Sequence, residues 1–384
     1  MQNQFRNCPI CNSSDVQNLY DNKFEKIENI NLTYVVCSCI NCGFIYSNYI
    51  PEDSVYSEYY SNFSKYDVYD SLEKIPPLDN EVAELTVNFL YDNNIKVSSV
   101  YDIGCSIGLF LSKVKSSDSN ILCHGIDPSP NSRKIARKLF DIEVEIGFYE
   151  GKTSLVNYDL ISSCSVLEHI KDVRSFINNI SRNVKNGSYL LFLVPSLNDF
   201  SELNGEWLGE LSIEHINYFN EKSINNLLVE FGYSKVVYQR IRLTNGQYIL
   251  IFLGKLEEKT VNSLNKDIEG VQNFNKYLNN SNVLLENIKD IFSSINEPYL
   301  LFGAGSHTLR LLKLDCVEKN PPICIIDSNK NIQDKYLGNF IINAPTIKSI
   351  DKSIPVVISS YKGVESIKNT LKLNGFTGKV IELY

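Results

Sequence analysis

Ser99-Val100-Tyr101-Asp102-Ile103-Gly104-Cys105-Ser106-Ile107-Gly108 decides the fold class. A short β-branched run ends in an acid, a glycine turn follows, and Leu109-Phe110-Leu111 opens an apolar helix. A strand, a tight turn and a helix in that order let backbone N–H groups approach a ligand where a side chain would collide. One strand later, Ile121-Leu122-Cys123-His124-Gly125-Ile126 ends in Asp127, where a carboxylate is placed to accept hydrogen bonds from ribose hydroxyls. A dinucleotide site asks for G-x-G-x-x-G. The spacing here, with a single glycine after Asp102, favours S-adenosylmethionine (SAM) instead. The plain alternative is an α/β turn with no ligand, and the acid at 127 argues against it.

Outward from that turn, strands and helices alternate. Strands are expected over 99–103, 121–126, 142–146, 158–164 and 188–194, with helices near 107–115, 131–139 and 172–185. An amphipathic helix from Asp79 (Val82, Leu85, Phe89, Leu90) leads in; a helix near 222–231 and strands 234–241 and 246–253, split by Asn245-Gly246, lead out. That order implies a parallel sheet ending in an antiparallel hairpin, an α/β class of fold. A second, smaller α/β unit is expected from strands at 298–302, 322–326, 355–360 and 378–382. The expected division is 1–75 as a small N-terminal unit closed by Pro76-Pro77, 76–256 as the core, 257–295 as a helical connector, and 296–384 as the second α/β domain.

With 384 residues the chain is long enough for two or three domains. Net charge is −8 and the basic residues are scattered, so no electrostatic footprint for nucleic acid or an anionic membrane is present. The longest apolar run, Tyr189-Leu190-Leu191-Phe192-Leu193-Val194, falls far short of the roughly 20 residues of a membrane span. Met1-Gln2-Asn3-Gln4 lacks the basic and apolar regions of a signal peptide. A cytoplasmic protein is expected, and its ten cysteines need a role in a reducing compartment. Cys105, Cys123, Cys164, Cys316 and Cys324 stand singly and read as small buried hydrophobes. Cys8-Pro9-Ile10-Cys11 and Cys39-Ile40-Asn41-Cys42 form a CxxC…CxxC pair separated by residues 12–38. Cys8, Cys11, Cys39 and Cys42 suit one tetrahedral zinc that clips a loop or hairpin shut, with Cys37 as a spare. Four thiolates leave no open coordination position, so the zinc is expected to be structural. A redox CxxC is the competing reading.

The stretch Tyr158-Asp159-Leu160-Ile161-Ser162-Ser163-Cys164-Ser165-Val166-Leu167-Glu168-His169-Ile170 runs off the C-terminal end of a strand, the edge that faces the ligand crevice in such sheets. Only four histidines occur, and a second Glu-His pair, Glu214-His215, precedes Tyr218-Phe219. Two such pairs can supply a base with an orienting carboxylate, or a base and a hydrogen-bond donor. A structural role as a helix or loop cap competes for each histidine. His124, inside a strand, and His307, in the distal unit, are set aside.

With these motifs in this order the chain resembles class I SAM-dependent methyltransferases over most of its length. The resemblance implies that Asp102, Gly104 and Ser106 line the methionine end of SAM and that Asp127 holds the ribose. It also implies that Gly147-Phe148-Tyr149-Glu150 flanks the adenine, with Ser165 completing the cofactor wall. The three-part layout is similar to that of sugar C-methyltransferases acting on nucleotide-linked keto-sugars. In that group a Y-x-E-H-x-x-Y-F loop carries the base, and Glu214-His215-Ile216-Asn217-Tyr218-Phe219 matches its later part. His169 matches a second active-site histidine. Ser212 stands where the group has tyrosine, and Leu301-Phe302-Gly303-Ala304-Gly305-Ser306-His307-Thr308 keeps a glycine turn without the lysine expected after it. The implied chemistry has a nucleotide-sugar substrate, His215 as base, Glu214 orienting it, and His169 or a tyrosine of the 56–60 cluster stabilising an enolate. O-methylation of a sugar hydroxyl, methylation of a small lipid or peptide, and a non-catalytic SAM-fold scaffold are the alternatives. The C-terminal turn, with Ile325-Ile326-Asp327 on the next strand, is a possible nucleotide site or a packing unit, and is expected not to bind NAD.

Overall fold

The computed structural model describes residues 4–28, 30–52, 54–56, 71–203, 205–257, 264–346, 348 and 350–384. Three strands come first: β1 (Val16–Asn22), β2 (Tyr34–Cys39) and β3 (Ile45–Asn48). The core follows with β4 (Ser99–Ile103), β5 (Leu122–Asp127), β6 (Glu143–Ile146), β7 (Leu160–Cys164) and β8 (Tyr189–Pro195). A two-residue strand β9 (Asn217–Tyr218) precedes the hairpin β10 (Tyr233–Arg242) and β11 (Tyr248–Leu256). The last unit holds β12 (Leu300–Phe302), β13 (Cys324–Ile326), β14 (Tyr336–Leu337), β15 (Phe340–Asn343), β16 (Val356–Ile358) and β17 (Val380–Glu382).

The core sheet has the order β10-β11-β8-β7-β4-β5-β6. β4 is parallel to β5 and β7, β5 to β6, and β7 to β8, while β11 runs antiparallel to β8 and β10. This is the α/β Rossmann-like sheet expected from the sequence, with its reversed hairpin. Helices Pro77–Asp92, Leu109–Ser117, Ser132–Phe140, Val173–Ser181 and Glu221–Glu230 belong to this unit. Local chemistry starts several of them. Pro77 opens the first, where its missing N–H costs nothing. The Asp172 carboxylate caps the fourth by accepting from Ser175 N at 2.9 Å. Asn220 and Ser223 form a reciprocal capping box on the last.

Two further sheets flank the core. β1, β2 and β3 form an antiparallel meander, and β9 joins it by pairing with β3. The cysteine-bearing segment therefore borrows its fourth strand from the polypeptide just after His215. β2 has five buried positions of six, with apolar packing on both faces, which erases the alternation that marks a one-sided strand. The third sheet has the order β14-β15-β13-β12-β16-β17. Its β14–β15 hairpin, turning at Gly338 (φ +59°), was not expected from the sequence. Among the described residues of 257–295 one helix, Ile268–Ser294, is capped by Asp267, whose side chain accepts from Gly270 N.

One apolar cluster fuses these units: Phe24 and Tyr34 from the first, Trp207 and Leu211 from the core, Phe274 from the long helix, and Leu301 and Leu309 from the third sheet. At its centre Arg310 is 3% exposed. Its guanidinium donates to Asn22 Oδ1 at 3.1 Å, the Trp207 carbonyl at 3.1 Å and the Leu211 carbonyl at 2.5 Å. Truncating it takes this donor from Asn22 Oδ1 and the Trp207 carbonyl at roughly 1–3 kcal/mol each, while the Leu211 carbonyl keeps Asn22 Nδ2. Arg310→Ala is therefore expected to lower the unfolding free energy by about 3 kcal/mol or more in urea titrations, with Arg310→Lys recovering only part; a loss below about 1 kcal/mol would contradict this packing.

Candidate active site

The candidate cofactor residues all stand at one edge of the core sheet. β4, β5, β6 and β7 are parallel and end at Ile103, Asp127, Ile146 and Cys164. The Gly104–Gly108 turn, Asp127, Phe148 and Ser165 follow those ends directly. Gly104 has φ +78°, and a Cβ there would lie 2.3 Å from Val166 Cγ2, so only glycine allows the turn after β4 to pass beneath the loop after β7. Ser106 (φ +49°) and Ser165 (φ +56°) both hold the left-handed conformation, which costs energy for a non-glycine residue and concentrates at functional sites.

Two acids organise this edge. Asp102 is 3% exposed and accepts from Ser162 Oγ at 2.7 Å. Burial pushes its carboxyl up to about 7, the Ser162 hydrogen bond opposes this, and the Asp127 charge adds to it. Asp127 accepts from Ser106 N at 2.8 Å, Ser129 N at 2.9 Å and Ser132 Oγ at 2.7 Å. Its Oδ1 thus accepts two hydrogen bonds and its Oδ2 one, so Oδ2 keeps the remaining capacity for a hydroxyl. Phe148 is 76% exposed, a large apolar ring left in solvent one residue beyond Gly147, whose N–H donates to the Asp127 carbonyl at 3.0 Å. Tyr149 instead turns inward and is buried.

The loop after β7 and the segment before β9 bring both Glu-His pairs together. The His169 and His215 rings meet edge-to-face with centroids 4.9 Å apart. The carboxylate beside them is that of Glu168: ligating atoms of Glu168, His169 and His215 all lie within 4.8 Å of one another. Glu168 is 2% exposed, and its Oε2 is buried without a hydrogen-bond partner. Burial raises its pKa, with the His169 charge opposing. Glu214 contributes through its main chain: His169 Nδ1 lies 3.0 Å from the Glu214 carbonyl oxygen. A carbonyl only accepts, so Nδ1 carries a proton and Nε2 holds the lone pair of the neutral ring. Ser212 Oγ accepts from His215 N at 3.1 Å, so it shapes the turn that carries the histidine. Of the tyrosines considered at 56–60, Tyr56 is half-buried, and Tyr59 and Tyr60 lie outside the described residues. His124 bonds Tyr158 Oη at 2.5 Å within the sheet. His307 sits at the junction with the third sheet, against Trp207 and 2.7 Å from Tyr384 Oη.

The four cysteines converge as their spacing implies. Cys8 and Cys42 Sγ lie 3.5 Å apart, as do Cys11 and Cys39, and all four sulfurs fall within 4.8 Å of one another. Hydrogen bonds within the cluster lower two thiols: Cys42 acts on Cys39 and Cys8 on Cys11. Such a set of soft donors fits a tetrahedral zinc with no open position. Cys37 points elsewhere, donating to the Tyr46 carbonyl at 3.4 Å.

Residues 78–238 match a family model described as a methyltransferase domain. Among curated proteins, a ubiquinone biosynthesis O-methyltransferase from Hydrogenovibrio crunogenus is 25% identical over 131 residues, covering 32% of this chain and 51% of that protein. The chain thus spans about half the length of the curated relative it matches. Among solved structures, the N-methyltransferase NodS from Bradyrhizobium japonicum, in complex with S-adenosyl-L-homocysteine, shares 18% identity. That match covers 52% of this chain and 98% of NodS at a TM-score of 0.40. Magnesium protoporphyrin IX methyltransferase from Synechocystis, with the same ligand, shares 15% identity over 54% of this chain and 100% of its own at a TM-score of 0.41. Residues 78–238 are a methyltransferase domain, set between the four-cysteine segment and the third sheet.

Proposed function

We propose that the chain is a SAM-dependent methyltransferase that methylates a nucleotide-activated sugar at a carbon alpha to a ketone, in the cytoplasm. The observation that carries this reading is the pair of histidines, rings 4.9 Å apart over a buried carboxyl, on the same sheet edge as the glycine turn. Such a pair can take a proton and balance charge on an oxygen at once. His215 removes the alpha proton, and the C–H electrons delocalise onto the ketone oxygen as an enolate. The enolate carbon then attacks the SAM methyl, and the methyl–sulfur bond electrons return to sulfur. His169 stabilises the enolate oxygen. With Nδ1–H committed to the Glu214 carbonyl, it donates through Nε2 as imidazolium. A tyrosine from the 56–60 cluster is the other candidate donor. Asp102, Gly104 and Ser106 hold the methionine end of SAM, Asp127 the ribose and Phe148 the adenine side, with Ser165 also against the cofactor. Zinc on Cys8, Cys11, Cys39 and Cys42 supplies a structural cross-link.

O-methylation of a sugar hydroxyl is a second reading, favoured by the curated relative's name; there His215 deprotonates the hydroxyl directly. Neither reading assigns NAD to the turn at Gly303, where Ala304 N donates to Asp327 Oδ2 at 2.8 Å.

Four measurements bear on this. His215→Ala is expected to cut SAM-dependent mass gain on a panel of keto and non-keto nucleotide sugars by about 10²–10⁴-fold, with SAM affinity by calorimetry within about 3-fold; unchanged turnover contradicts the base assignment. Asp102 carries a raised carboxyl pKa, so its destabilising contribution is absent below the ordinary carboxyl pKa of 3.8 and complete above about 7. Asp102→Asn is therefore expected to stabilise the SAM-free protein at pH 8 while weakening SAM. In the parent, SAM affinity should rise with pH up to about 7 with proton release; a flat profile contradicts a cation beside Asp102. Elemental analysis should find one zinc per chain, and Cys39→Ser should lose it along with several degrees of melting temperature.

A further inference from the structure

Arg6 stands two residues before the first cysteine of the four-sulfur cluster and is 9% exposed. Its guanidinium makes four hydrogen bonds in three directions. Nε donates to the Ser47 carbonyl at 2.8 Å, Nη1 to the Lys171 carbonyl at 3.0 Å, and Nη2 to the Ile216 carbonyl at 2.6 Å and Asn217 Oδ1 at 2.9 Å. The group also lies over the Tyr46 ring, 5.1 Å from its centroid. Lys171 follows His169 by two residues and Ile216 follows His215 directly. One side chain of the cysteine segment thus grips both histidine-bearing loops.

The surrounding bonds run the same way. Asn217 Nδ2 donates to the Leu167 carbonyl at 3.1 Å and the Ile170 carbonyl at 2.7 Å, bracketing Glu168 and His169. Ile216 N donates to the Glu168 carbonyl, and Ser47 N donates to the Ile216 carbonyl. Tyr34 Oη donates to the Ser212 carbonyl at 2.6 Å, at the other end of the His215 turn. All four Arg6 hydrogen bonds go to neutral acceptors, so the buried cation gains little from ion pairing and contributes geometry instead. A planar, permanently charged fork can hold three carbonyls and an amide at fixed angles, which a lysine ammonium on a flexible stem cannot.

We infer that Arg6 is a positioning residue: acting through the backbone on both sides, it sets the distance and angle between His169 and His215. The cysteine segment is then part of the active site's framework. This inference rests on the two histidines being the reacting pair. A misplacement of about 1 Å at such a pair costs on the order of 10²-fold in rate.

The test uses full-length, zinc-loaded protein carrying Arg6→Lys or Arg6→Ala. The first readout is independent of turnover. With only four histidines, nitrogen-15 imidazole spectra resolve each ring, and the parent should show His169 protonated at Nδ1. In Arg6→Lys that signature should be lost or broadened and His215 shifted, while His124 and His307 keep their parent signals. The second readout is methyl transfer on the panel above. Here kcat should fall about 10–100-fold, with SAM affinity and zinc content within about 2-fold of the parent. Unchanged His169 and His215 signals in Arg6→Lys would overturn the assignment. So would loss of zinc or SAM binding in both variants, which would make Arg6 a folding residue only. If the parent transfers no methyl group to any sugar, the nucleotide-sugar reading fails, and the imidazole spectra still decide the role of Arg6.

Discussion

The segment from Trp207 to Asn217 carries His215 yet has no helix or strand ladder of its own before β9. A buried stretch of this kind must find partners for its backbone groups elsewhere. It finds them in side chains from every other part of the chain. Trp207 N donates to Tyr384 Oη and Glu210 N to Tyr277 Oη. The Leu211 carbonyl accepts from Arg310 and from Asn22 Nδ2, the Ser212 carbonyl from Tyr34, and the Ile216 carbonyl from Arg6. Two buried arginines, one from the cysteine segment and one from the third sheet, therefore clamp opposite ends of the loop. The three sheets meet because this loop needs all of them.

The other constraint is electrostatic. Asp102 and Asp127 lie on neighbouring parallel strands, and the first is almost wholly withdrawn from water. Burial pushes the Asp102 carboxyl up to about 7. On the proposed reading, a cationic ligand beside Asp102 relieves that cost. Gly104 leaves room for the Val166 side chain, and Ser106 and Ser165 beside it hold the left-handed conformation.

Much of this was legible in the sequence where the signal is local. The β4 turn, the strand-helix alternation and the reversed hairpin all have short-range signatures, and the paired CxxC motifs converge in the fold as their spacing implies. Other features depend on contacts far apart in the chain. β2 is buried on both faces and shows no alternation. The β14–β15 hairpin did carry a cue in Gly338-Asn339, between Tyr336-Leu337 and Phe340-Ile341-Ile342, runs too short to mark strands by alternation. Glu168 was visible beside His169, but only the fold shows that its carboxyl, and the main chain of Glu214, lie with the two rings. Arg6 touches a carbonyl 210 residues away, and nothing in Gln4-Phe5-Arg6-Asn7 announces it.

Where the methyl group goes depends on whether His215 takes a proton from carbon. The direct measurement follows the label in a nucleotide-linked keto-sugar deuterated alpha to its ketone, incubated with the protein and SAM. The mechanism proposed above predicts a product that has gained a methyl group and lost one alpha deuterium, with no loss in the His215→Ala variant. A methylated product that retains all of its alpha deuterium would contradict it.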